Sequence, residues 1–105
     1  MSGGGEDNAG ESNTGERVRL HLLISGRVQG VAFRYCMADR CRQLGVTGWV
    51  RNLADGSVEA EIEGDPKAAE SAVAWVRQGP PAARVAEVII DERPVRGGTG
   101  FEVAY

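Results

Sequence analysis

The chain has 105 residues and a mass of 11.2 kDa, room for one domain and no second core. Hydrophobic residues make up 42% and charged residues 26%, and the longest apolar runs, Leu22-Leu23-Ile24 and Val88-Ile89-Ile90, are far too short to span a bilayer, so a globular protein without a membrane segment is expected. The net charge of −3 is unevenly spread: Glu6, Asp7, Glu11 and Glu16 precede every basic residue, the remainder is nearly neutral, and the basic excess of a dedicated nucleic-acid binder is missing.

Residues 1–16, MSGGGEDNAGESNTGE, hold no side chain larger than Met1 that can anchor a core. Their composition predicts a disordered acidic tail, and it lacks the basic and apolar regions of a secretory signal. The domain proper is expected over 17–105. Val18, Leu20, Leu22 and Ile24 alternate with Arg17, Arg19, His21 and Leu23, which predicts a strand, and Gly26 to Val31 reads as a loop. Phe33, Met37, Cys41 and Leu44 fall at helical spacing, and Gly45 stops that helix. Val46 to Leu53 reads as a second strand, and Asp55-Gly56 as a hairpin turn. Ser57 to Glu63 alternates, with Val58, Ala60 and Ile62 inward and Glu59, Glu61 and Glu63 on what is expected to be a solvated face. Asp65 is a good N-cap before Pro66, and Ala69, Ala72, Val73 and Val76 form the apolar stripe of a second helix, ended by Gly79-Pro80-Pro81. Arg84 to Ile90 is expected as a fourth strand. Phe101, Val103 and Tyr105 suggest a short terminal strand, reached through a glycine-rich stretch over 96–100. The order predicts an α+β fold: two split βαβ units sharing one antiparallel sheet with both helices on one face, the ferredoxin-like sandwich. That fold serves many chemistries, so function has to come from a site.

The first strand runs through a glycine-flanked loop into a helix start. This points several backbone N–H groups and the positive end of a helix at one spot, a ready place for a phosphate-sized anion. Arg34 falls in the first helical turn, where a cation opposes the helix dipole unless an anion sits between them. On spacing alone, an anion site and a plain turn with a solvated arginine both remain open. The loop is neither a Walker A motif nor a dinucleotide fingerprint. Asn52 is out of place at the end of a strand and shares parity with Val46 and Val50, which directs it toward the layer of Arg34. Its amide can hold a water, or it can simply support the turn.

Gly26-Arg27-Val28-Gln29-Gly30-Val31-Ala32-Phe33-Arg34 resembles the first signature of the acylphosphatase family. Gly48-Trp49-Val50-Arg51-Asn52, followed by Asp55-Gly56-Ser57-Val58-Glu59, resembles the second. The ending Phe101-Glu102-Val103-Ala104-Tyr105 is also typical of the family, and the resemblance covers residues 17–105. It implies hydrolysis of the carboxyl–phosphate bond of acyl phosphates, with Arg34 and Asn52 as catalytic residues. It also implies a phosphate loop formed by Arg27, Val28, Gln29, Gly30, Val31, Ala32 and Phe33, acting largely through backbone N–H groups. The leaving group is a carboxylate whose acid has a pKa of about 4, so it departs without a general acid. No cofactor and no metal are expected. The expected partners are a small acyl phosphate and inorganic phosphate, without nucleic acid or membrane, in a cytoplasmic monomer. The rival reading is a regulatory module that binds phosphate without turnover.

Other residue patterns are weaker. Cys36 and Arg42 match the Cys-x5-Arg spacing of cysteine-dependent phosphatases, but the residues between them suit a helix and include no glycine to shape a cradle. Cys41 is expected in the core and Cys36 as a partly buried thiol, with no bridge between them, which suits a reducing compartment. His21, the single histidine, is expected on the solvent side of its strand. Trp49 and Trp75 are expected to serve packing, with Trp49 also a candidate to line the site. The third strand carries three glutamates where an RNA-recognition domain would need basic and aromatic residues.

Overall fold

The alternation that starts at Val18 becomes an inner strand of a five-stranded sheet, paired along both edges. In the computed structural model, which describes residues 16–105, the elements run β1 (Val18–Arg27), α1 (Phe33–Leu44), β2 (Thr47–Asn52), β3 (Val58–Gly64), α2 (Pro66–Gln78), β4 (Arg84–Arg93) and β5 (Phe101–Val103). All of the expected tail except Glu16 lies outside the described residues. The spatial order is β4-β1-β3-β2-β5, so β3 is inserted between β1 and β2. Both helices pack on the face that carries Leu22, Ile24, Val50, Val58, Ala60 and Ile62, giving the ferredoxin-like sandwich that the element order implies. Phe33 and Trp75 join the helices, with ring centroids 5.5 Å apart. The Asp65 side chain caps α2 by accepting the Ala68 N–H at 2.9 Å.

Tyr105, expected in the terminal strand, lies beyond β5, which ends at Val103, and the sheet differs from expectation in three further ways. First, β5 runs parallel to β2, so the sheet is mixed rather than wholly antiparallel. A chain that doubles back after β4 has to run antiparallel to it, and that is the direction of β2. Second, Gly26 and Arg27, read as loop, belong to β1 and pair with Val85 and Arg84 beyond a bulge. Gly26 has φ 120°, and a Cβ there would lie 2.2 Å from the Arg84 carbonyl oxygen, so only glycine lets the two strands approach. Third, β4 continues through Asp91, Glu92 and Arg93, which pair with His21, Leu20 and Arg19. These charged residues on an edge strand carry no alternation to read.

The second face of the sheet is not solvated in the way its glutamates suggest. Glu63 is fully buried. Its carboxylate accepts from Arg19 Nη1 at 3.0 Å, Arg17 Nε at 3.4 Å and the backbone N–H groups of Arg96 and Gly97, both at 2.9 Å. Arg19 also donates through Nε to Glu61 at 2.6 Å. Glu59 takes His21 Nε2 at 2.7 Å and Arg51 Nε at 2.7 Å, so His21 faces this side but is paired and only 15% exposed at its side chain. The pairing register explains the match: Arg19 lies opposite Glu63, and Arg51 opposite Glu59. Burial alone would push the Glu63 carboxyl upward, but the Arg96 amide, Arg19, the Gly97 amide and Arg17 outweigh it and hold the group down at about 2. The strap from Pro94 to Gly100 is thereby pinned across this face before it enters β5.

Candidate active site

The loop between β1 and α1 is built from unusual backbone rather than from charged side chains. Gly30 has φ 75°, and Ala32 sits at φ 62°, ψ 25°, a left-handed conformation that costs an alanine about 1 kcal/mol or more. Ala32 is the N-cap residue of α1, and its carbonyl accepts the Cys36 N–H at 3.1 Å. No side chain caps the first turn and no acidic residue occupies it. The positive end of the helix is therefore left to whatever enters from solvent.

Asn52 approaches from the other side. It ends β2 opposite Val58, and Val58 is paired on its far side with Ile24 of β1. The inserted β3 thus holds Asn52 two strand spacings, about 10 Å, from the line of β1. Between them lies a cavity of about 210 Å³ lined by Val28, Gly30, Ala32, Phe33, Arg34, Tyr35 and Asn52. Arg34 and Asn52 thus share one cavity, with four of the expected loop residues, Val28, Gly30, Ala32 and Phe33. The other three are placed elsewhere. Arg27 is exposed at the end of β1, and Val31 packs against the core. The Gln29 side chain turns to the β2–β3 turn, where its amide donates to the carbonyls of Leu53 at 2.7 Å and Ser57 at 2.8 Å. That tie joins the loop to the turn that follows Asn52, a function not evident from the spacing of the motif.

Arg34 is half-buried and held from the far end of the chain. Its Nη1 donates to the Ala104 carbonyl at 2.9 Å, and Ala104 is itself fixed by its N–H to the Val50 carbonyl at 2.8 Å. The guanidinium carbon lies 4.7 Å from the centre of the Tyr105 ring and 5.6 Å from that of Tyr35. The hydroxyls of Tyr35 and Tyr105 are hydrogen-bonded to each other, which raises the Tyr105 phenol above its ordinary range. Nothing in the sequence singles out Tyr35 or Tyr105 for this place: neighbours on a helix point apart, and the return of the chain end to α1 has no local signal.

The remaining candidates lie elsewhere. Cys36 lines a separate groove with Asp39, Arg40 and Trp75, and Arg42 donates to the Phe101 carbonyl at 2.7 Å. Cys41 is buried, which pushes its thiol up to about 12, and both cysteines are free. Trp49 stands on the opposite face of the sheet, with Arg51 over its ring at 5.6 Å. Among the described residues no three His, Cys, Asp or Glu side chains converge to hold a metal, and no helix is long and apolar enough to cross a membrane. The cavity offers backbone amides, one guanidinium and one neutral side-chain amide, and among the described residues no carboxylate side chain lines it, so a dianion entering it meets no charge of its own sign from these side chains.

Comparison with known proteins bears on this geometry. The family model described as acylphosphatase matches residues 20–103. A relative from Thermococcus kodakarensis, an acylphosphatase, is 56% identical over 88 residues, which is 84% of this chain and 97% of the relative. The solved acylphosphatase from Coxiella burnetii superimposes with a TM-score of 0.82 at 35% identity, covering 85% of this chain and 94% of that one. The acylphosphatase from Bacillus subtilis gives 0.81 at 35% identity, over 84% of this chain and 99% of that one.

Proposed function

Because the chain belongs to the acylphosphatase family, and is on that ground an enzyme that hydrolyses acyl phosphates, we propose that the carboxyl–phosphate bond is cut in the cavity shared by Arg34 and Asn52. The phosphoryl group sits at the open N-terminus of α1, held by backbone N–H groups of the 28–33 loop and by Arg34. These donors stay in place while charge shifts to the bridging oxygen, so they stabilise the transition state without reorganising. Asn52, across the cavity, holds a water in line with the scissile bond through an amide that both donates and accepts. Attack of that water on phosphorus breaks the bond to the acyl oxygen. The carboxylate leaves as a stable anion, and the proton of the water passes to a phosphoryl oxygen of the substrate. Each step uses only the substrate, water and these protein groups, so turnover is expected to need no metal. Residues 17–105 form the catalytic domain in this reading, acting as a monomer on a small-molecule substrate, and the free thiols suit a cytoplasmic setting.

The observation that carries the assignment is the single cavity lined by both Arg34 and Asn52. The test is steady-state hydrolysis of benzoyl phosphate in the presence of EDTA by the wild-type chain and by Arg34→Ala and Asn52→Ala. Both variants are expected to lose at least about a hundredfold in kcat, the scale of a lost transition-state donor. Wild-type-like turnover by either variant refutes its role, and loss of wild-type activity in EDTA refutes metal independence.

A further inference from the structure

The reaction described above leaves the acyl half of the substrate unaccounted for. A phosphoryl group seated against the loop points its bridging oxygen out of the cavity, and the acyl group has to lie on the rim. The rim is uneven. Gly30 brings no side chain to the lining, and a Cβ there would meet nothing within 4 Å; Ala32 adds one methyl. The same lining carries the Tyr35 ring, 53% exposed, beside Tyr105, 87% exposed. Large apolar residues as exposed as these are few in the described part of the chain: the others are Ile89 and Val95, away from the cavity lining. Two exposed rings meet at the mouth of the phosphate cavity, joined through their hydroxyls and both against the Arg34 guanidinium. Exposed aromatic rings beside a stretch of lining without side chains make a subsite suited to a flat group.

We infer that Tyr35, with Tyr105 beside it, forms an acyl-group subsite that favours acyl phosphates bearing an aromatic or other planar unsaturated acyl group over those with a small aliphatic one. The inference rests on the placement of the phosphoryl group proposed above. A planar acyl group stacks on or tilts against the Tyr35 ring as the bridging oxygen leaves the cavity, whereas an acetyl group is too short to cover the ring. Gly30, with open space where a side chain would stand, leaves room for a ring-sized substituent.

The test compares kcat/KM for benzoyl phosphate and acetyl phosphate in the wild-type chain, Tyr35→Ala and Tyr35→Phe, with competitive inhibition by inorganic phosphate measured alongside. The ratio of the two kcat/KM values cancels the difference in leaving-group reactivity when it is compared between variants. Tyr35→Ala is expected to lower the benzoyl-to-acetyl ratio about three- to tenfold, the range of one aromatic contact. Tyr35→Phe, which keeps the ring, retains the wild-type ratio. Inhibition by inorganic phosphate persists in both, because Arg34, Asn52 and the loop backbone are unchanged. An unchanged ratio in Tyr35→Ala overturns the subsite, including the case in which both rates fall together because Arg34 has shifted. A wild-type chain that hydrolyses neither compound overturns the hydrolytic reading itself, a different result.

Discussion

Replacing Glu63 with Gln keeps the volume of a fully buried side chain and removes its charge. The wild-type carboxylate accepts from two guanidinium groups and two strap amides. The amide that replaces it has one accepting oxygen and turns an N–H₂ toward donors. Arg19, buried at 4% exposure, keeps only Glu61 as an anionic partner. Removing one member of a buried ion pair costs about 3–5 kcal/mol. The lowered carboxyl pKa gives a second figure. A carboxyl that ionises at about 2 in the folded chain, against an ordinary 4.5, adds at most about 3 kcal/mol of stability at neutral pH. Because the folded value is the lower one, this stability is fully present above about pH 5 and is lost as pH falls toward 2. Urea unfolding followed by tryptophan fluorescence at pH 7, 5, 4 and 3 reads both effects. At pH 7 the variant is expected to lose about 3 kcal/mol, or about 12 °C or more in Tm for a domain of this size. The gap between wild type and variant then narrows to about 1 kcal/mol near pH 3. Stability curves that stay parallel across this range would refute the assignment of the acid-sensitive stability to Glu63.

Gln29→Ala removes the two hydrogen bonds that tie the loop to the β2–β3 turn. It is expected to cost about 1–2 kcal/mol in urea unfolding and, because loop and Asn52 then move independently, to lower kcat/KM for benzoyl phosphate about tenfold or more. Gly48→Ala would place a Cβ 1.9 Å from the Glu61 carbonyl oxygen at φ 143°, so β2 has to shift away from β3. Thermal melting of that variant is expected to show a loss of about 3 kcal/mol or more, and a wild-type Tm would contradict the close approach of the two strands.

The parts of the site that could be read from sequence were those that break a local rule. An arginine at a helix start, an asparagine in a strand and a glycine in a short loop each stand out locally, and Arg34, Asn52 and Gly30 all line the cavity, whereas Gly26 belongs to β1. The parts that stayed hidden obey local rules and acquire meaning only through pairing. Nothing in Glu59, Glu61 and Glu63 distinguishes a wetted face from a salt-bridged one until the register sets Arg19 opposite Glu63 and Arg51 opposite Glu59. Ala32 carries no mark of its left-handed backbone, since the residue that usually marks it is glycine. Gln29 looks like an ordinary polar loop residue, and its two acceptors lie more than twenty positions away. The fold order was legible because alternation and caps are local, whereas the parallel direction of β5 follows from a crossover that no short window contains.

The insertion of β3 between β1 and β2 makes the distance from Asn52 to β1 a property of the sheet ladder. Loops can breathe, but two hydrogen-bonded strand spacings cannot be widened or closed without breaking the register that Val58 keeps with Ile24 and Asn52 together. The chain thus carries a fixed calliper between Asn52 and β1, and the reaction proposed above calls for no lid to swing shut before the bond is cut. Turnover should then be limited by chemistry or product escape rather than by a closing motion, and solvent viscosity should slow only the diffusive steps.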